Sequence, residues 1–293
     1  MATLTVFTPT YNRREYLKRV YDSLLRQSSK DFLWLIVDDG SNDGSGELIR
    51  SFEAEKKLKI VYKYFENGGK MRAHNRGVEL CDTELFVCLD SDDYFVEDGV
   101  KRILECYEDI KRDPDTDPER VAGIAAYKGE SDDRVLYDTH FPRIDHSSLF
   151  SLYLKGFKGE TTLIYKTKIL KEYPFPEIEG EKYVPEDYIY DKIDLKYVLK
   201  ILPEIITVCE IVSEGYTDSV KKLKRDNPTA FYLYYEQRTR LAPVSLLKFK
   251  YAGFFVIYAI RSKNRLLKAG SVNIFWVILG FISAFLIRIT KKE

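Results

Sequence analysis

The residues of this 293-residue chain best suited to chemistry are carboxylates at the ends of apolar runs. Leu89-Asp90-Ser91-Asp92-Asp93 closes one such run. Carboxylates two positions apart at a strand end can place one group on a ribose hydroxyl and the next on a divalent ion. Oxygen ligands and phosphates suit Mg²⁺ or Mn²⁺, and the ion would neutralise a departing diphosphate. The same residues could instead cap the helix that follows. A second cluster, Asp38-Asp39-Gly40-Ser41-Asn42-Asp43-Gly44-Ser45, could accept a hydrogen bond from the N3–H of a uracil ring. Taken alone, it is also an ordinary glycine-rich turn. Glu186-Asp187 lies about 95 residues beyond the first motif. A carboxylate there could take the proton of an attacking hydroxyl. Two acids could equally start a helix over residues 187–199, where negative charge favours the N-terminus. The residues alone do not separate Asp187 from Glu186.

Elements must bring these groups together. Apolar runs predict strands over 4–8, 32–37, 60–65, 85–89 and 121–127. Helical spacing predicts helices over 15–27, 71–80 and 97–111. This alternation argues for βαβ units and an α/β fold with a mostly parallel sheet flanked by helices. In such a sheet the strand C-terminal ends share one edge, where ligands bind. The polar clusters at residues 10–13, 38–41 and 90–93 would therefore converge on one crevice. The segment 134–218 is irregular and proline-punctuated, and is expected to complete the sheet and wall the crevice. Composition changes beyond Asn227-Pro228, which sets an expected boundary near 225: a catalytic domain over 1–225 and C-terminal helices over 226–293.

Apolar residues make up 45% of the chain, enough for a sizeable core, and the net charge of zero implies no nucleic-acid partner. The charge is unevenly placed. Residues 221–293 carry 15 Lys/Arg and 3 Asp/Glu, a net of +12, which leaves −12 for residues 1–220. Such asymmetry points to a basic tail that meets an anionic surface. The tail holds two apolar runs, 244–260 and 274–287, the second of 14 residues with basic groups on both flanks. A full membrane span needs roughly 20 residues and usually shows a one-sided basic bias. Amphipathic helices lying in the membrane interface are therefore expected. Core helices and a single C-terminal span are the alternatives. Cys81, Cys88, Cys106 and Cys209 form no CxxC pair and read as reduced, mostly buried thiols. The N-terminus lacks the pattern of a signal peptide, so a location at the cytoplasmic face of the cell membrane is expected.

Taken together, Thr8-Pro9-Thr10-Tyr11-Asn12-Arg13, the turn at 37–45, Asn67-Gly68-Gly69-Lys70, Ala73-His74-Asn75-Arg76-Gly77, the carboxylates at 90–93 and Pro185-Glu186-Asp187-Tyr188 stand in an order that resembles family 2 glycosyltransferases of the GT-A fold. The resemblance covers residues 4–220 or so. It implies an inverting, metal-dependent transferase acting on a nucleotide-diphosphate sugar. By the same resemblance Pro9 and Tyr11 would line the base, Asp39 would bind the pyrimidine edge with Asp38 in support, and Lys70 would approach the diphosphate. Asp90 would touch the ribose, Asp92 would hold Mn²⁺ or Mg²⁺, and Asp187 would be the general base, with Glu186 beside it. His74 stands where family members often carry Arg, and is expected on a helix surface. Gly180-Glu181-Lys182-Tyr183 and Glu214-Gly215-Tyr216-Thr217 resemble a capsule- or exopolysaccharide-type branch, which implies a lipid-linked or glycan acceptor. Gln237-Arg238-Thr239-Arg240-Leu241 is similar to an element of processive synthases but has Leu241 in the place of Trp, and is set aside as coincidence. Two other functions remain: a sugar-1-phosphate nucleotidylyltransferase, or a non-catalytic subunit of a membrane synthase. A homo-oligomer is compatible with the sequence.

Overall fold

The computed structural model describes residues 2–209, 220–264 and 272–291. Two compact units divide the chain: Met1–Pro174 with Ile189–Val212, and Phe175–Tyr188 with Ser213–Glu293. The boundary expected near 225 falls inside the second unit. That unit also takes in the segment ending at Tyr188.

The first unit begins with β1 (Leu4–Thr10), α1 (Arg14–Leu25), β2 (Phe32–Asp38), α2 (Ser45–Glu55), β3 (Ile60–Tyr64), α3 (Lys70–Leu80) and β4 (Leu85–Cys88). It continues with β5 (Asp93–Phe95), α4 (Gly99–Arg112), β6 (Val121–Gly129), β7 (His146–Ser147), α5 (Leu149–Leu154), β8 (Thr161–Lys166), α6 (Thr167–Glu172), α7 (Asp187–Ile193, whose first two residues count with the second unit) and β9 (Val198–Cys209). The sheet order is β3-β2-β1-β4-β8-β6-β9-β5, with β7 on β9.

Strands β3, β2, β1 and β4 are all parallel. β2, β3 and β4 are each reached through a helix, as parallel pairing requires. β1, β2 and β4 read as nearly continuous apolar runs because helices cover both faces; every residue of β1 is buried, whereas no residue of the edge strand β3 is. Beyond β4 the sheet is mixed, not mostly parallel. β8 runs antiparallel to both β4 and β6, and β5 antiparallel to β9. Between β6 and β8 the only α-helix is the six-residue α5, so the chain folds back beside β6 without a crossover helix. The helix expected over 187–199 stops at Ile193, because Val198 already opens β9. His74 is 7% exposed, not on a helix surface: its ring lies edge-on to Phe7 and Phe86 at 5.9 and 5.3 Å.

The second unit contains α8 (Val220–Asp226), α9 (Pro228–Leu241), α10 (Leu246–Arg261) and α11 (Ile274–Lys291). Phe231 on Tyr258 and Tyr235 on Phe254, at 5.4 and 4.8 Å, make α9 and α10 an antiparallel aromatic pair. Each such ring pair adds about 0.5–1.5 kcal/mol beyond its burial. α11 runs the same way as α10, since Lys248 lies over Trp276 and Ala252 backs Gly280. Small residues permit that approach: a Cβ at Gly280 would sit 2.6 Å from the Ala252 carbonyl oxygen. No helix among the described residues is long and apolar enough to cross a membrane.

Gly280→Leu should therefore push α11 off α10 and cost about 1–3 kcal/mol, the usual penalty of overpacking. A lowered midpoint in chemical denaturation of the full chain would register it; an unchanged midpoint would mean that the two helices are not held by this contact.

Candidate active site

In the first unit the parallel strands deliver their C-terminal loops to one edge, and the loops bind one another. The Asp39 amide donates to the Thr10 carbonyl (2.8 Å). The Asn12 amide donates to Ser41 Oγ, and the Asn42 amide to Asn12 Oδ1, both at 2.9 Å. The Arg14 amide reaches Asp43 Oδ2 at 3.0 Å. Pro9 is buried within β1, whereas Tyr11 is 50% exposed at its tip, a ring free to stack.

Asp38 and Asp39 are both buried and fully engaged. Asp38 accepts from the Ser41 amide (2.8 Å) and the Tyr62 hydroxyl (2.9 Å). Burial, then the hydrogen bond to Asp38, pushes the Tyr62 phenol upward. Asp39 accepts from the Gly68 amide (2.9 Å), the Gly69 amide (2.7 Å) and Asn67 Nδ2 (3.1 Å). It thereby clasps the loop after β3 onto the end of β2. Gly40 makes the clasp possible: its φ is 92°, and a Cβ there would lie 2.9 Å from the Asn67 nitrogen.

The clasp positions Lys70, the first residue of α3. Its ammonium meets Asp90 Oδ1 at 2.8 Å and Oδ2 at 3.0 Å. Burial works against an ionised Asp90, but the charges of Lys70 and Lys128 outweigh it and hold its pKa down to about 2. Asp90 is thus an acceptor at any physiological pH. The turn after it is fixed from three sides. The Asp93 amide donates to the Asp90 carbonyl (3.0 Å), Arg19 of α1 donates to the Asp92 carbonyl, and Lys128 of β6 pairs with Asp93 at 3.0 Å. Among the described residues the Asp92 carboxylate forms no hydrogen bond or ion pair, and it is partly exposed. No three His, Cys, Asp or Glu side chains converge as a metal-binding group among those residues. Asp92 is therefore the one carboxylate of the turn left open to an external ligand.

Glu186 and Asp187 lie in the second unit. Glu186 is exposed. Asp187 opens α7 and pairs with Arg238 Nη2 of α9 at 2.9 Å, with the Tyr234 hydroxyl at 3.4 Å. Arg238 is 4% exposed and also covers the Tyr234 ring. Gln237 donates to the Tyr188 carbonyl (2.8 Å). The Gln237-Arg238 segment set aside in the sequence thus grips the Glu186-Asp187-Tyr188 segment directly. Burial raises the Asp187 carboxyl above its usual range, against the charge of Arg238. The Gly180–Tyr183 loop is structural: Glu181 accepts from the Thr229 and Ala230 amides at 2.7 and 2.8 Å and caps α9, while Asn227 Oδ1 accepts from the Lys182 and Tyr183 amides. The companion motif at residues 214–217 lies outside the described residues.

Sequence reasoning missed Lys128, Arg19 and Arg238. Lys128 left a trace, a lone cation ending an otherwise apolar strand. Arg19 left none, for it acts on a main-chain oxygen.

The family model described as glycosyl transferase family 2 matches residues 5–151. Bacillus subtilis TuaG, whose name assigns it provisionally to teichuronic acid biosynthesis, is 34% identical over 103 residues, 35% of this chain and 40% of that one. The chain spans less than half the length of the curated relatives it matches. Among solved structures, S. aureus TarS 1–349 in complex with UDP-GlcNAc superposes with a TM-score of 0.63 at 19% identity, covering 90% of this chain and 74% of that one. The mannosyltransferase PcManGT from Pyrobaculum calidifontis, in complex with GDP-Man and Mn²⁺, gives 0.55 at 15% identity, covering 97% and 80%. These likenesses establish the GT-A fold.

Removing one partner from a buried ion pair leaves an uncompensated charge and costs about 3–5 kcal/mol, whereas replacing both is near neutral. Lys128→Met should show that loss in chemical denaturation, and Lys128→Met with Asp93→Leu should recover most of it. A single variant as stable as the parent would show that the pair does not hold the turn.

Proposed function

Since the chain belongs to glycosyl transferase family 2, we propose that it is a glycosyltransferase that inverts the anomeric carbon of a UDP-sugar while transferring the sugar to a hydroxyl of a lipid-linked or surface-polysaccharide acceptor at the cytoplasmic face of the cell membrane. The observation that carries this reading is the DxD turn: Asp90 kept ionised by Lys70, and Asp92 held in place with its carboxylate open. The UDP-GlcNAc bound by TarS supports the donor class, and the name of TuaG supports a polysaccharide acceptor.

In this reading Tyr11 stacks on the base and Asp38 and Asp39 shape the loop around it, with Pro9 beneath. Asp90 accepts from a ribose hydroxyl and Lys70 turns toward the diphosphate. Asp92 fits Mn²⁺ or Mg²⁺, because such ions are commonly bound through one or two carboxylates together with substrate phosphates and water; Mn²⁺ in PcManGT supports the metal class. When bound, the ion supplies charge neutralisation for the leaving nucleoside diphosphate. Asp187, rather than the exposed Glu186, takes the proton of the acceptor hydroxyl. The acceptor oxygen forms its bond to the anomeric carbon as the carbon–phosphate oxygen bond breaks on the opposite side. A raised carboxyl pKa makes Asp187 the stronger base.

A panel of nucleotide sugars with Mn²⁺, scored by release of nucleoside diphosphate, tests the reaction; pyrophosphate release would instead indicate a nucleotidylyltransferase. Asp92→Asn should abolish turnover and weaken divalent-dependent donor binding, and undiminished activity in that variant, or in the parent with excess chelator, would overturn the metal assignment. Asp187→Asn should leave donor affinity intact and slow transfer by roughly 10²–10⁴-fold; the same loss in Glu186→Gln alone would move the base by one residue.

The acid limb of the rate profile supplies a separate check. Arg238 lowers the Asp187 pKa, so Arg238→Gln should move the limb of kcat/KM to higher pH. A limb that stays in place would separate Asp187 from the titration.

A further inference from the structure

We propose that α11 lies in the plane of an anionic membrane, its outward face immersed in the interface, and that the cavity at its N-terminal end receives a lipid headgroup phosphate. This deepens the reading of a lipid-linked acceptor, and it is argued from the second unit alone.

The two apolar runs of the tail have different fates. Ala252 to Ala259 of α10 are buried without interruption between neighbouring helices. On α11 the residues that pack inward are Val277, Gly280, Ser283 and Ala284. The opposite face carries Ile274, Ile278, Phe281, Ile282, Phe285 and Ile289, each 50–65% exposed. Their spacing of three and four places them along one stripe. No charged side chain occurs from Ile274 to Ile287. Soluble surfaces rarely carry so long an uninterrupted apolar face.

Three observations identify the occupant as a lipid surface. From Arg238 to Lys292 the sequence holds eleven Lys/Arg and no Asp/Glu, a charge that suits anionic headgroups. The apolar stretch of α11 is 14 residues, about 21 Å, too short for a bilayer core of roughly 30 Å. A cavity of about 590 Å³ opens where α9 ends and α10 and α11 begin, lined by Arg240, Lys248, Asn273, Phe275 and Trp276 among others. Two cations and two aromatic rings at the end of an apolar helix match a headgroup at the water boundary, with the acyl chain continuing along the stripe. Lys248 is already set there: its ammonium donates to the Ala242 carbonyl (2.9 Å) and lies 5.1 Å from the Trp276 ring centre.

The full-length chain is floated with vesicles of phosphatidylcholine alone or mixed with phosphatidylglycerol. The parent should float with the anionic vesicles. Phe281→Glu with Phe285→Glu, both exposed and so compatible with folding, should weaken that binding roughly a hundredfold, since two large apolar side chains are removed from the interface. Arg240→Ala should weaken binding about fivefold on anionic vesicles and leave binding to neutral ones unchanged. Millimolar inorganic phosphate should not displace the chain, because it lacks the apolar portion. Failure of the parent to float overturns the proposal. So does a dimer, seen by sedimentation equilibrium, that the double Phe variant dissociates while flotation stays unchanged. Release by inorganic phosphate would assign the cavity to free phosphate instead. Flotation reads binding and not turnover, so this inference and the transferase reading can fail separately.

Discussion

Carboxylates crowded at one sheet edge repel one another and resist ionisation, and the first unit is arranged around that constraint. Each acid there but Asp92 has a partner that matches its depth. Asp38 and Asp39, the most buried, are satisfied chiefly by amides and a phenol, with the Arg76 guanidinium 3.6 Å from Asp39 Oδ1. Asp43 takes the Arg14 and Ser45 amides. Asp90 and Asp93 have cations, Lys70 from the start of α3 and Lys128 from β6. Buried charge is tolerated only when paired in this way. Asp92 alone in the turn keeps an open carboxylate among the described residues, with its main chain held by Arg19. In the proposed reading a divalent ion would complete the pattern, supplying Asp92 with the counter-charge that its neighbours receive from lysine.

The path of Lys128 shows why the mixed half of the sheet matters to this chemistry. β6 and β5 do not pair in the sheet; β9 lies between them, parallel to β6 and antiparallel to β5. Lys128 reaches past Thr207 and Cys209 of β9 to meet Asp93. Burial, reinforced by Asp93 and Glu160, pushes the Cys209 thiol up to about 12, so it stays a neutral neighbour of the pair. A strand far along the chain thus sets the electrostatics of the turn after β4.

Much of this was legible. The apolar runs marked β1, β2, β4 and β6 within two residues, because strands buried on both faces have little polar to interrupt them, and the exposed edge strand β3 was marked by its β-branched and aromatic residues. The convergence of the loops followed from parallel order. Other features depend on partners that a local reading does not contain. The antiparallel entry of β8 is decided by a missing crossover helix, not by its own residues. α7 ends early because Val198 is claimed by pairing with Val121. His74 is buried by Phe7 and Phe86, both distant in sequence. Arg238 looked like the remnant of another motif, yet its worth lies in meeting Asp187, 51 positions earlier.

The tail carries the same lesson into energetics. Hydropathy marks both α10 and α11 as apolar, α11 the more so, yet α10 forms the aromatic centre of its unit and α11 turns eight large apolar side chains outward. What separates them is the placement of small residues. On α11, Gly280, Ser283 and Ala284 form one narrow strip that lets α10 approach closely and leaves the bulky residues on the far side. Had the bulky residues lined that strip, they would have held the helices apart and spread the burial over both faces. Close packing on one side and apolar exposure on the other are therefore two consequences of a single arrangement along the helix, and that arrangement fixes which of the two runs is structural and which is left for a surface.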